Sequence, residues 1–322
     1  MSAFLDDVDS RPGSTTSLLR TVIGLYLRDA GGWLPASAFL RLMEALDVPA
    51  AVTRTALSRL KKKAVLEQQP RDGVAGYALT SGAATMLARG DSRIFAPQHM
   101  ADGDPWCLVS FSIPEAEREK RHQLRRRLHW TGCGTVAAGL WIAPAFRRGE
   151  IEDVLAGLGL REQATLFITD TPVPGGGHHS AGLRDAAAQW WDLETVAALH
   201  RDFIREWAAG EDPSVGGGPP PPAAAFASYV RCIDSWRIIP YLDPGLPPVF
   251  LPADWPGKDG IAVFEGVRAV HAGPSADFVR TVAGGGRQQT GMSQGTGSTL
   301  EAWPPPTAGG PVTGGPGGFH DP

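Results

Sequence analysis

The chain reads as an α+β protein: an N-terminal winged helix-turn-helix, a central ferredoxin-like βαββαβ unit, and a C-terminal, mainly helical domain. Three observations predict this. Residues 17–65 contain three short runs with apolar residues at helical spacing, and a hairpin-like stretch follows them. From residue 106, strand-like apolar runs alternate with charged helical ones. From residue 183 helical spacing returns, interrupted by the Gly/Pro run GEDPSVGGGPPPP at 210–222. The implied boundaries are a flexible N-terminus at 1–16, a winged helix at 17–95, the ferredoxin-like unit at 104–175, a helical domain at 183–271 and a disordered Gly/Pro-rich tail at 272–322.

Each element has a local reason. SLLRTVIGLYLRD (17–29) places Leu18, Leu19, Val22, Ile23 and Tyr26 on one helical face, and AGG at 30–32 stops it. A second helix at 35–46 starts near Pro35 and turns Phe39, Leu40, Met43 and Leu46 inward. The tight turn DVP leads into a third helix, with Pro49 suited to its first turn. VLEQQPRDGVAGYALT (65–80) then reads as two short strands about a turn at Arg71-Asp72-Gly73. In the central unit WCLVSFSI is a buried strand and PEAEREKRHQLRRRLHW a charged helix. TGCGTVAAGLWIAP is a further strand or pair, 150–160 a helix and ATLFITD a strand. GGGHHS at 175–180 is loop. Residues 183–209 are helical, as are 223–239 and 259–271, with the Pro-rich run YLDPGLPPVFLPADWPG between the last two.

Residues 52–65, VTRTALSRLKKKAV, are unusual in a chain whose formal charge is −4, with 34 acidic and 30 basic side chains. At about 100° per residue, Val52, Ala56, Leu60 and Leu57 form an apolar stripe. Arg54, Ser58 and Lys62 fall opposite, flanked by Thr55 and Lys61. Long cations reach phosphates and guanine edges, and short hydroxyl side chains permit close approach. A basic helical face alone is ordinarily just solvated. Here it is the third helix of a compact unit, a tight turn precedes it, and a wing-like hairpin with Arg71 at its tip follows.

Other function classes are excluded or disfavoured. No run approaches the roughly 18 apolar residues of a membrane span. Residues 1–17 contain DDVD and lack a secretion-signal pattern. Cys107, Cys133 and Cys232 lie far apart and fit neither a disulfide framework nor a metal motif, so reduced thiols in the cytoplasm are expected. Gly132-Cys133-Gly134-x-x-Ala137 formally matches a dinucleotide fingerprint but follows a helix and enters a strand, the reverse of the required order. His178 and His179 lack partners at ligand spacing, and no nucleophile elbow or P-loop occurs. No cofactor or metal is implied.

The segment SLLRTVIGLYLRDAGGWLPASAFLRLMEALDVPAAVTRTALSRLKKKAVL resembles the N-terminal domain of the PaaX family of phenylacetate-degradation repressors. So do LVSFSIPEAEREKRHQLRRRLHWTGCGTVAAGLWIAP and YLDPGLPPVFLPADWPG with the helix after it, three blocks in the right order across about residues 17–270. The resemblance implies a homodimeric repressor of a catabolic operon, released from operator DNA by an aryl-acetyl-CoA thioester such as phenylacetyl-CoA. On the matching motif, Arg54, Thr55, Ser58, Arg59, Lys61 and Lys62 would contact DNA, with Arg71 on the wing.

Two alternatives stand beside this reading. LVSFSIPEAEREKRHQLRRRL also resembles the Cas2 fold, in which some members cut nucleic acid with a metal-binding Asp on that strand. Here Ser112 occupies the matching position and the nearest acid is Glu115, and a hydroxyl is a poor carboxylate substitute on Mg²⁺. Arg118, Lys120, Arg121, Arg125, Arg126 and Arg127 on the following helix read as a solvated face whose charge order suits the helix dipole. The second alternative is a winged-helix protein-interaction module. Trp190, Trp191, Trp207, Trp236 and Trp255 are expected mainly in the core. If an aryl-CoA binds, Trp190 and Trp236 are candidates for its apolar pocket, and Arg231 or His200 for its phosphates.

Overall fold

The computed structural model describes residues 11–170, 180–208 and 220–284. Residues 1–10, the His178–His179 loop, most of the 210–222 linker and residues 285–322 lie outside the described residues. The described residues belong to one compact unit.

Helix α1 (Thr15–Val22) is capped by Ser14, whose Oγ accepts the Ser17 N–H at 3.3 Å, and runs into a single π-helical turn at Ile23–Leu27. Leu18, Leu19, Val22, Ile23 and Tyr26 are buried as expected, but so are Ser17, Arg20 and Thr21. Helix α2 (Ala36–Glu44) buries Ala38, Phe39, Leu42 and Met43. The turn to α3 (Ala50–Lys62) uses Asp47 at φ 62°, a left-handed position that Asp tolerates. Pro35 ends strand β1 (Trp33–Pro35) and caps α2, where the sequence suggests only helix. This strand completes a three-stranded sheet, β1-β3-β2, with β2 at Leu66–Gln68 and β3 at Gly76–Leu79. Helix α4 (Ser81–Phe95), capped by Thr80, closes the N-terminal stretch.

The central unit follows the expected βαββαβ order. It consists of β4 (Trp106–Phe111), α5 (Arg118–Trp130), β5 (Gly134–Ala137), β6 (Leu140–Pro144), α6 (Arg148–Leu158) and β7 (Ala164–Thr169). All pairings are antiparallel, in the order β5-β6-β4-β7. Alternation along β4 sends Cys107, Val109 and Phe111 into a core with α5 and α6, and Trp106 into a second core on the other face. That second face is covered by α7 (Ser180–Trp190) and the Pro-rich run around Phe250. Burial pushes the Cys107 thiol up to about 11 and Cys133 to about 12, so both are packing groups rather than nucleophiles.

The 183–209 stretch is broken at Trp191. Asp192 caps a second helix, α8 (Leu193–Trp207), by accepting the Thr195 N–H at 3.1 Å. Helices α9 (Pro222–Trp236) and α10 (Ile239–Leu242) precede the long α11 (Gly257–Gly284). The helix expected at 259–271 thus extends to Gly284, and residues 272–284 are helical rather than part of a disordered tail. A proline inside a helix costs about 3 kcal/mol, and Pro274 sits there. Burial of Val279 and Val282, at roughly 1.5–3 kcal/mol per fully buried side chain, offsets it. Two bonds add to this: Tyr26 Oη to Ser275 Oγ and Arg41 Nη2 to the Val282 carbonyl, each at 2.5 Å.

Helices α9 and α11 share one core with α1–α3, so the N-terminal and C-terminal stretches are not separate lobes. Asp234 on α9, 1% exposed, accepts the Ser17 hydroxyl at 2.5 Å, the Thr21 hydroxyl at 2.9 Å and the Gly13 N–H at 2.7 Å. This explains the burial of Ser17 and Thr21 on α1: the side that a free-standing winged helix would expose is covered by α9.

Candidate nucleic-acid interface

Helix α3 buries Thr53, Ala56, Leu57 and Leu60. Val52, expected in the apolar stripe, is 45% exposed, and Thr53 takes its place at 0%. At about 100° per residue Thr53 lies between Leu60 and Leu57, and its hydroxyl bonds the Pro49 carbonyl at 3.3 Å, which removes the cost of burying it.

The opposite face carries Arg54, Thr55, Ser58, Arg59, Lys61 and Lys62, all exposed. No side chain among the described residues bonds Arg54, Arg59 or Lys62. Among the described residues Lys61 Nζ reaches Gln68 Oε1, at 3.3 Å. Thr55 Oγ1 back-bonds the Ala51 carbonyl at 3.1 Å.

The wing stands beside this face. Asp72 and Gly73, at φ 51° and 77°, form a two-residue turn closed by Arg71 and Val74, whose N–H and carbonyl groups exchange bonds at 2.9 and 3.0 Å. Arg71 is not a loose tip. Its guanidinium lies 5.2 Å from the Trp33 ring centroid and donates to Gln69 Oε1, while Trp33 Nε1 donates to the Gln69 carbonyl at 2.7 Å. The close approach requires Gly76, where any Cβ would stand 2.4 Å from the Trp33 ring.

Sequence reasoning misses Ser14, Thr15 and Thr16. They border a groove of about 390 Å³ whose other wall is Val52, Thr55, Ala56 and Arg59. The signal was the Ser-Thr-Thr run before the first apolar residues, an N-cap pattern.

The four residues expected at an effector pocket are not brought together. His200 and Trp236 touch, with ring centroids 5.9 Å apart, but both are about 1% exposed. His200 Nε2 pairs with Asp243 Oδ2 at 3.0 Å, and Trp236 stacks on Phe264 at 4.7 Å. Trp190 belongs to the other apolar cluster, beside Trp191. Arg231 instead pins the helix-turn-helix corner, donating to Asp47 Oδ2 at 2.8 Å and the Leu46 carbonyl at 3.3 Å.

On the central unit Ser112 is exposed just beyond β4, and Glu115 is held by Arg121 at 2.7 Å. Among the described residues no group of three or more His, Cys, Asp or Glu side chains could hold a metal ion. Arg127, expected on a solvated face, is buried, and desolvation lowers its pKa. No helix among the described residues is long and apolar enough to cross a membrane.

Fold and site together define a winged-helix protein with a cationic helix-plus-wing surface, built onto a Cas2-like sheet and a helical C-terminal region. Comparison with known families matches three successive models: PaaX-like protein at residues 14–83, PaaX protein central Cas2-like domain at 99–182, and PaaX-like protein C-terminal domain at 191–281. The chain belongs to the PaaX family. It is 25% identical over 256 residues to the transcriptional repressor PaaX of Escherichia coli (strain K12), covering 78% of each chain. A solved structure of an uncharacterized Mycobacterium tuberculosis protein shares the fold, with a TM-score of 0.52, 22% identity, and coverage of 81% of this chain and 97% of that one.

Proposed function

We propose that this chain is a cytoplasmic transcriptional repressor that binds double-stranded operator DNA and has no catalytic role. The observation that carries the reading is the exposed row Arg54, Arg59 and Lys62, which has no side-chain partner among the described residues, beside a wing whose arginine is held in place by Trp33. Helix α3 reads base edges in the major groove, with Val52 available to a thymine methyl and Arg54 to guanine. Arg59, Lys61, Lys62 and the Ser14–Thr16 edge take backbone phosphates, and Arg71 enters the neighbouring minor groove. Two copies of the chain would bind half-sites whose centres are about one turn, roughly 10 bp, or a multiple of it apart.

The Escherichia coli relative, named a transcriptional repressor, supports repression as the output. The family resemblance supports control of phenylacetate-type catabolism and release by an aryl-acetyl-CoA thioester. A ligand releases DNA only by binding a DNA-incompetent state in preference. The metal-nuclease alternative is disfavoured by Ser112 at the carboxylate position and by the engagement of Glu115 with Arg121.

Sequencing the fragments that the purified protein retains from its own genome, with and without phenylacetyl-CoA, tests this. The expected result is a small set of promoter fragments with paired half-sites, lost on adding the thioester. Retention of no defined sequence at low salt overturns the repressor reading. Defined fragments that resist a broad panel of acyl-CoA thioesters overturn the effector class alone.

A further inference from the structure

The groove between the first residues of α1 and helix α3, about 390 Å³ in volume, has a mixed lining. Val52, 45% exposed, and Ala56 make one wall apolar, Thr15 and Thr16 line the other, and Arg59 supplies charge. Helix α3 carries no acidic residue. Arg54 and Lys62 lie exposed on it with no side-chain partner among the described residues. Such a surface attracts carboxylates as well as phosphates.

The chain reaches this groove from a fixed point. The Arg11 carbonyl accepts the Ser14 N–H at 3.1 Å, and the Gly13 N–H is anchored on Asp234 at 2.7 Å. Whatever precedes Arg11 is therefore tethered one tight turn from Ser14, which lines the groove. That stretch is MSAFLDDVDS, with three carboxylates (Asp6, Asp7 and Asp9), three apolar side chains (Phe4, Leu5 and Val8) and no Lys or Arg. Its charge is opposite to that of α3. Asp6 stands five residues before Arg11, about 17 Å at full extension. Arg54 and Lys62 are eight residues apart, about 12 Å along the helix. The length of the tether thus matches the length of the cationic face. In an extended chain Asp7 and Asp9 would project to one side and Val8 to the other, which suits cations flanking an apolar wall.

We propose that the acidic segment at residues 4–9 docks in this groove when the protein is free of DNA, its apolar residues toward Val52 and Ala56 and its carboxylates toward Arg59 and the neighbouring cations. The segment stands in for phosphates, and operator DNA binds only by displacing it. Each exposed ion pair is weak, but the tether gives the segment a high effective concentration at the groove. The competition with DNA rests on the repressor reading above, while the docking itself does not.

The test uses the full chain. The native cysteines are all buried, so a new pair can be oxidised selectively. Val8→Cys/Thr55→Cys, without DNA, should form a disulfide under mild oxidant much faster than the control Val8→Cys/Thr135→Cys, whose second site is on β5. The oxidised Val8→Cys/Thr55→Cys protein should lose operator binding in fluorescence anisotropy and recover it on reduction. With wild-type cysteines, Asp6→Asn/Asp7→Asn/Asp9→Asn should bind operator roughly tenfold more tightly at low salt, as expected for a face otherwise covered about nine-tenths of the time. Equal disulfide rates at Thr55 and Thr135 overturn the docking. A fast Thr55 disulfide with operator affinity unchanged in the triple Asn variant overturns the competition. Operator binding by none of these proteins, reduced or oxidised, overturns the repressor reading instead, and the disulfide rates still decide whether the segment docks.

Discussion

Helices α3 and α5 are both thirteen residues long and both rich in cations, yet they present opposite chemistry. Helix α5 carries more positive charge, but most of its cations are engaged within the fold. Lys120 pairs with Glu117 at 2.6 Å, Arg121 with Glu115 at 2.7 Å, Arg125 bonds the Ala138 carbonyl at 2.8 Å, and Arg127 is buried. On α3 there is no acid, and Arg54, Arg59 and Lys62 point outward without partners among the described residues. The number of cations on a helix therefore says little about nucleic acid. Whether the surrounding fold has already neutralised them says much more.

The largest expected effect falls on the platform that presents α3. Asp234→Ala leaves Ser17, Thr21 and the Gly13 N–H without their acceptor and Arg237 without its ion-pair partner, and should cost roughly 3–5 kcal/mol of unfolding free energy in urea denaturation. A loss below about 1 kcal/mol would mean α1 does not depend on α9. Arg54→Ala should weaken operator binding by about 1–3 kcal/mol in a gel-shift titration, with the loss confined to one base position. Arg71→Ala should cost less, roughly tenfold or under in affinity, and should fall equally on all sequences tested. Smallest is Arg121→Ala on α5. Its partner Glu115 is exposed, so thermal melting should report within about 0.5 kcal/mol of wild type, with operator affinity unchanged. A larger DNA effect from Arg121 than from Arg54 would invert the contrast between the two helices.

Much of this was legible in the sequence, because periodicity and turn chemistry are local. The α3 cation face, the Asp-Gly wing turn and the βαββαβ order all follow from spacing and turn residues. What was hidden depends on distant partners. Hydrophobicity picks Val52 over Thr53, whereas the true stripe is centred on a threonine whose hydroxyl bonds the Pro49 carbonyl. The three-residue strand β1 is visible only through its pairing with β3, since Trp33-Leu34-Pro35 is too short for any pattern. Residues 272–284 look like the start of a Gly/Pro tail until Tyr26 and Arg41, far away in sequence, supply their partners. The Asp192 cap was readable, as an Asp three residues before Thr195, but apolar periodicity runs on across it. Arg231 and His200 show the converse: residue types suited to a phosphate that the fold uses to hold its own corners.

The contrast between α3 and α5 is tested most directly by the salt dependence of operator affinity. Counterion release makes log K fall with log salt by about 0.9 per phosphate neutralised. The double variant Arg59→Ala/Lys62→Ala, which removes two phosphate-facing cations, should flatten that slope by about 1.8, whereas Arg121→Ala/Arg125→Ala should leave it unchanged. A slope that is unmoved by the α3 pair, or flattened as much by the α5 pair, would contradict the assignment of the DNA-binding surface to α3.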